Sequence, residues 1–203
     1  MHDIREEAKN IKKEFVKSKF VDAAKSIIFQ DGVSSVTVRK IAEITGYSYA
    51  TLYHYFNDLN ELLIETKLSM IHDMVRCSGE QSFSAGDPLQ SMKEYARLTF
   101  NFFIDNPNVF RFFYYYEMDS RNETAMRSLD LEKTYYDDFL PFVKKGAIKK
   151  SHIPTISRTI LYSVFGMVTL YLSNNGLTRE EIYKDMDNII ELLLKGNGGN
   201  ENT

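Results

Sequence analysis

Twenty residues, Thr37 to Phe56, constrain this chain more than any other stretch. Thr37 can cap a helix in which Val38, Ile41 and Ala42 share one face, and Gly46 ends it after about nine residues because glycine accepts a positive φ. Ser48 can then cap a second short helix, where Leu52 and Phe56 stand four apart on one face and Tyr49, Ala50, Thr51 and Tyr53 lie elsewhere. Ile41, Ala42, Leu52 and Phe56 are therefore expected to face a shared core. The helix before them repeats Val16, Phe20, Ala23, Ala24 and Ile27 at helical spacing and stops at Gln30-Asp31-Gly32.

Downstream, Asn57 or Asp58 can cap a fourth helix running through Leu62, Leu63, Met70 and Met74, and a loop is expected from Ser78-Gly79 to Gly86-Asp87-Pro88. Further helices are predicted over 88–105, 107–118, 122–146, 154–174 and 178–195, and strand signals are nearly absent. The expected fold is all-α: a three-helix helix-turn-helix domain at 1–60, a helical bundle at 61–195, and a Gly/Asn-rich tail at 196–203 too polar to order. With 203 residues and 43% hydrophobic content the chain can bury a real core.

Charge is placed unevenly. The net charge is −3, yet the segment from Lys9 to Lys40 holds eight Lys and Arg against three acids. A basic segment on an acidic body is either a solvated helix face or a footprint for phosphates. The start, Met1 to Glu7, is charged and resembles no secretory signal, and the most apolar run, Ile160 to Leu172, falls short of the roughly 18 residues that cross a bilayer. No membrane span is expected. The single Cys77 has no disulfide partner, which fits a reducing cytoplasm.

A DNA-binding helix-turn-helix needs a glycine turn, inward apolar positions, and small or polar groups at the outward start of its second helix, which enters the major groove. The run from Thr37-Val38-Arg39-Lys40-Ile41-Ala42 through Gly46-Tyr47-Ser48 to Tyr53-His54-Tyr55-Phe56 meets all three and resembles the TetR-family signature. The resemblance covers about a quarter of the chain. It implies a homodimeric transcription regulator, commonly a repressor, whose carboxy-terminal helical domain dimerises and often binds a small effector. Carried over by position, it puts Ser48, Tyr49, Ala50 and Thr51 at the bases, with Tyr53, His54, Thr37 and Arg39 at phosphates. Lys40 fits if phosphates lie nearby, and Lys9, Lys12 and Lys13 are expected to reach flanking phosphates from a flexible arm. Two helix amino termini support this, since their free N–H groups favour a phosphate.

Three features depart from the family pattern. Leu59 stands where a phosphate-binding lysine is usual, and Lys40 replaces a common acid and opposes its own helix dipole. Between Ser48 and Phe56 there is no Arg, Lys, Asn or Gln, the side chains that make bidentate contacts to guanine or adenine. Thr51 and Ala50 can instead touch thymine methyls and Tyr49 can pack or donate one hydrogen bond, so a site with thymines at contacted positions is expected.

Fifteen of the 27 aromatic residues lie between Phe83 and Phe142. Neighbours such as Phe112 to Tyr116 point in different directions on a helix, so some meet a second surface or line a cavity. Plain core packing accounts for most; a pocket for an apolar or aromatic effector, lined by Phe103, Phe113, Tyr116 and Phe139, is the sharper expectation. The last two helices carry apolar stripes, Leu161, Val164, Phe165, Val168 and Leu172 in one and Met186, Ile189, Ile190 and Leu193 in the other. The resemblance places them in a two-fold dimer interface; packing within their own domain is the alternative. A dimer would read a near-palindromic operator in double-stranded DNA.

Two rival classes stand beside this reading. An enzyme needs a positioned acid, base, nucleophile or metal, but the histidines at 2, 54, 72 and 152 are dispersed and no metal or nucleophile motif occurs. No catalytic residue, metal or cofactor is expected. The second rival is a helical ligand-binding or interaction protein with an impaired helix-turn-helix, which Leu59 and the unusual recognition helix would fit.

Overall fold

The structure is a computed structural model that describes residues 2–80, 86–118 and 131–195. Within these the chain forms nine α-helices and no strand. They are α1 (His2–Asp31), α2 (Val38–Thr45), α3 (Tyr49–Tyr55), α4 (Leu59–Glu80), α5 (Pro88–Asp105), α6 (Pro107–Tyr114), α7 (Leu131–Lys144), α8 (Ile153–Leu172) and α9 (Arg179–Leu194). Short 3₁₀ turns at Val33–Ser35 and Lys150–His152 precede α2 and α8.

Two compact units divide the chain. One comprises Met1–Met74 with Asn108–Leu129, the other Val75–Pro107 with Asp130–Thr203. The first thus contains α4 beyond residue 60, and α6 as well. The expected tail at 196–203 and the start of the helix expected over 122–146 lie outside the described residues.

In the first unit Phe20 of α1 is fully buried, its ring 5.4 Å from Tyr47, 6.1 Å from Tyr55 and 6.2 Å from Phe56 by centroids. One aromatic of α1 therefore fixes both the turn after α2 and the end of α3. Lys17 and Lys25 reach Glu65 and Asp73 of α4 at 2.9 and 2.6 Å, binding the long helices on either side of that core. Ile41, Leu52 and Phe56 are buried as expected. Ala42 is only half-buried, because at this small residue the α2 surface is not fully covered.

In the second unit α5 packs on α8 and α9, with α7 against α5 and α8. Phe100, Phe103, Phe139, Ile153, Val168, Ile182 and Ile190 are nearly inaccessible there. Polar side chains stitch α5 to α9: Lys93 lies against Glu191, Arg97 bonds Asp187 at 2.7 Å, and the Tyr183 hydroxyl donates to Asn101 at 2.6 Å. Thr178 caps α9 in a reciprocal box with Glu181.

The segment Lys150–Leu172 is long and apolar enough, by length and composition alone, to cross a bilayer, because helical structure begins well before Ile160. Only 22% of its most apolar 18-residue window is buried, and the exposed positions of the helix include Arg158, Thr159 and Thr169 as well as Tyr162 and Leu170. Of the two stripes expected at a dimer interface, Val164, Val168, Met186 and Ile190 are buried within their own unit, at 4% exposure or less. They face α5 and each other's helix, whereas Leu161, Phe165, Leu172, Ile189 and Leu193 are half-buried at the margin.

Candidate nucleic-acid interface

The turn between α2 and α3 is built from local chemistry. Thr37 Oγ1 accepts the Lys40 N–H at 3.1 Å, opening α2, and Gly46 closes it at φ +72°, a conformation that side chains with a Cβ adopt at a penalty. Ser48 Oγ then accepts the Thr51 N–H at 3.1 Å and opens α3. Asp58 Oδ1, accepting from Glu61 N–H at 2.8 Å, is the cap of α4, while Asn57 bonds the Glu61 carboxylate.

Burying Leu52 leaves the opposite side of α3 open. Ser48, Tyr49, Ala50, Tyr53 and His54 are exposed, Tyr49 and Tyr53 by half their surface, and Thr51 is half-buried. The Ser48 and Thr51 hydroxyls lie 2.9 Å apart and engage one another. His54 stacks edge-on with Tyr55 at 5.2 Å. Two aromatic side chains and two small ones thus stand together on one solvent face at the start of the helix.

Thr37 and Arg39 are exposed at the start of α2, and Lys40 is partly so. Both cations are already engaged, Arg39 with Glu43 at 2.9 Å and Lys40 with Asp31 at 2.7 Å. The hydrogen bond and charge of Glu43 raise the Arg39 pKa further. Exposed pairs of this kind contribute little, so a phosphate can replace either carboxylate. The Asp31 partner also offsets the unfavourable position of Lys40 at the start of its helix, a compensation that sequence spacing did not indicate. Lys9, Lys12 and Lys13 are exposed, but they stand on α1, which is helical from His2, rather than on a flexible arm. Leu59 is half-buried as the first residue of α4.

The effector candidates separate. Phe103 and Phe139 are core residues of the second unit, at 1% and 2% exposure, whereas Phe113 and Tyr116 belong to the first, one buried and one at its surface. A cleft of about 540 Å³ in the second unit is lined by Leu89, Phe142, Lys145 and Leu194 among others, and by none of these four. Sequence reading overlooked Lys67, which is buried in α4 with its Nζ 2.8 Å from the Phe113 carbonyl oxygen. Its spacing from Leu63 and Met70 is the signal that would have found it. Among the described residues no group of three His, Cys, Asp or Glu side chains gathers to hold a metal ion.

A three-helix unit whose third helix presents its amino-terminal face to solvent across a capped glycine turn is a helix-turn-helix domain. Residues 20–66 match the family model for the bacterial regulatory proteins of the tetR family. It is 32% identical over 80 residues to the HTH-type transcriptional regulator BetI of Agrobacterium fabrum, a match spanning 39% of either chain. The fold is similar to that of RolR in complex with resorcinol, with a TM-score of 0.67 at 17% identity over 89% of this chain and 88% of that one. It is also similar to FadR of Bacillus subtilis in complex with stearoyl-CoA, with a TM-score of 0.68 at 16% identity over 88% of this chain and 98% of that one.

Proposed function

We propose that this chain is a homodimeric, sequence-specific DNA-binding transcription regulator of the cytoplasm, a repressor released by a small effector. The observation that carries the reading is the exposed face of α3, where Ser48, Tyr49, Ala50 and Thr51 stand free of the core that Leu52 and Phe56 fill. These four read bases. Because Ser48 engages the Thr51 hydroxyl, the methyl of Thr51 and that of Ala50 are the contact groups, and thymine methyls are their partners. Thr37, Arg39, Lys40, Tyr53 and His54 hold phosphates beside them, with Lys9, Lys12 and Lys13 along α1 at the flanks. Arg39 and Lys40 exchange their carboxylate partners for phosphate on binding.

Dimerisation through α8 and α9 is supported by the large apolar side chains that the protomer leaves uncovered. Tyr162 is 65% exposed, Leu170 44% and Leu192 70%, and Gly166 between the first two has nothing within 4 Å of an added Cβ, so a second helix can approach closely. Leu161, Phe165, Leu172, Ile189 and Leu193 form the margin of that interface. The two-fold arrangement sets two α3 helices on successive major grooves and calls for a near-palindromic operator. An apolar or aromatic effector in the helical region is supported by the ligands carried by RolR and FadR, resorcinol and stearoyl-CoA. Phe113 and Tyr116, both in the first unit, are the proposed aromatic contacts.

Selection of binding sites from a pool of random duplexes tests the reading. A near-palindrome with thymines at groove-contacting positions is expected. Recovery of half-sites without thymine at any contacted position would refute the methyl readout, and no enrichment at all would favour a ligand-binding protein with an idle helix-turn-helix.

A further inference from the structure

Lys67 is the sole buried charged side chain among the described residues, only 8% exposed. It lies on the α4 stripe that also carries Leu63 and Met70, and its Nζ donates one hydrogen bond, 2.8 Å long, to the Phe113 carbonyl in the last turn of α6. The rings of Phe113 and Phe112 have their centroids 5.6 and 5.9 Å from the same atom. Burial pushes its pKa down. An ammonium has three donors and a full charge, yet its partners here are one neutral carbonyl and two ring faces. Buried charges are ordinarily paired, and among the described residues no carboxylate pairs with this one.

We propose that Lys67 is the counter-charge for an anionic effector, an apolar or aromatic carboxylate whose head group takes the ammonium from the Phe113 carbonyl while its body packs against Phe112, Phe113 and Tyr116. This rests on the effector reading above and narrows it to one ligand class. The aromatic setting suits the body: Tyr116, at the surface, has its ring 6.0 Å from that of Phe112, and Phe112 is fully buried behind it. Exchanging a neutral acceptor for an ionised one strengthens the hydrogen bond and supplies the missing charge. It also releases a carbonyl in the last turn of α6 from α4, so occupancy is coupled to the packing of two helices within the unit that carries the helix-turn-helix. An effector of this class is thereby linked to α4 without any residue of the reading face touching it.

The test is calorimetric titration of the full chain with four probes, decanoate and benzoate and their neutral counterparts decanol and benzyl alcohol. Wild type, Lys67→Met and Lys67→Arg are compared, with circular dichroism as the check on folding. Wild type is expected to bind at least one acid about 10-fold or more tighter than its alcohol. Lys67→Met removes that preference while keeping the affinity for the alcohol, and Lys67→Arg retains it. Should Lys67→Met fail to fold, the ¹³Cε resonance of Lys67 in wild type serves instead: a bound carboxylate raises the pH at which it titrates. Equal wild-type affinity for acid and alcohol, or an unmoved Lys67 titration in the carboxylate complex, would overturn the counter-charge and leave the effector reading standing. Binding of none of the four probes would count against the effector reading itself.

Discussion

Ser48 shows how much one side chain settles at the interface. Its Oγ accepts the Thr51 N–H and meets the Thr51 hydroxyl, so it both starts α3 and holds Thr51, a proposed base contact, in place. Replacing it with alanine is expected to lower stability by about 1 kcal/mol, read from the urea midpoint, whereas Ser48→Asp keeps the cap and restores stability. Ser48→Asp should nonetheless bind DNA more weakly, because its charge faces phosphates; unchanged stability in Ser48→Ala would mean that the cap is idle. Thr37, Gly46 and Ser48 were legible in the sequence because each acts on backbone within a few residues of itself. Lys67 and the Asp31–Lys40 pair were not, since their meaning depends on partners that only the packing of separate segments supplies.

At the scale of elements, the apolar period placed the helices well and their ends less well. The α1 pattern was read from Val16, yet the helix extends back to His2 through Ile4, Ala8, Ile11 and Phe15, whose helical spacing continues the stripe although Ile11 and Phe15 stay exposed. The aromatic run after Phe112 offers no stop signal, so α6 was expected to reach 118 and instead ends at Tyr114. Charges between helices were equally illegible. Glu191 of α9 is held by Lys195 and by Lys93 of α5, and its carboxyl is pushed down to about 2 from an ordinary value of 4.5. A lowered carboxylate contributes stability above its unfolded value and loses it as pH falls through the folded one. The melting temperature of wild type should therefore fall more steeply from pH 5 to pH 2 than that of Glu191→Gln. High salt should narrow the difference, because Lys195 and part of Glu191 face solvent. Parallel slopes at low salt would show that the pairs contribute nothing.

At the scale of the molecule, the all-helical class and the amino-terminal helix-turn-helix were readable, while the division of α8 between an inner and an outer face was not. Val164 and Val168 on one side and Tyr162 and Leu170 on the other are all apolar, so periodicity could not tell core from contact surface. The account places the outer face against a second copy, and a charge there should separate the copies without unfolding either. Leu170→Glu is expected to sediment as a monomer with an unchanged far-ultraviolet spectrum, and to lose operator affinity because only one recognition helix engages per chain. A dimeric Leu170→Glu protein would move the interface elsewhere.

The central claim is that the exposed start of α3 reads bases, and the most direct test compares wild type with Tyr49→Ala/Thr51→Ala on the selected operator and on a scrambled duplex, across a range of salt. The account predicts that wild type prefers the operator by about 10³-fold or more, and that the double variant loses most of that preference while keeping its weak binding to scrambled DNA and the salt dependence set by phosphate contacts. A double variant that still prefers the operator as strongly as wild type would contradict it.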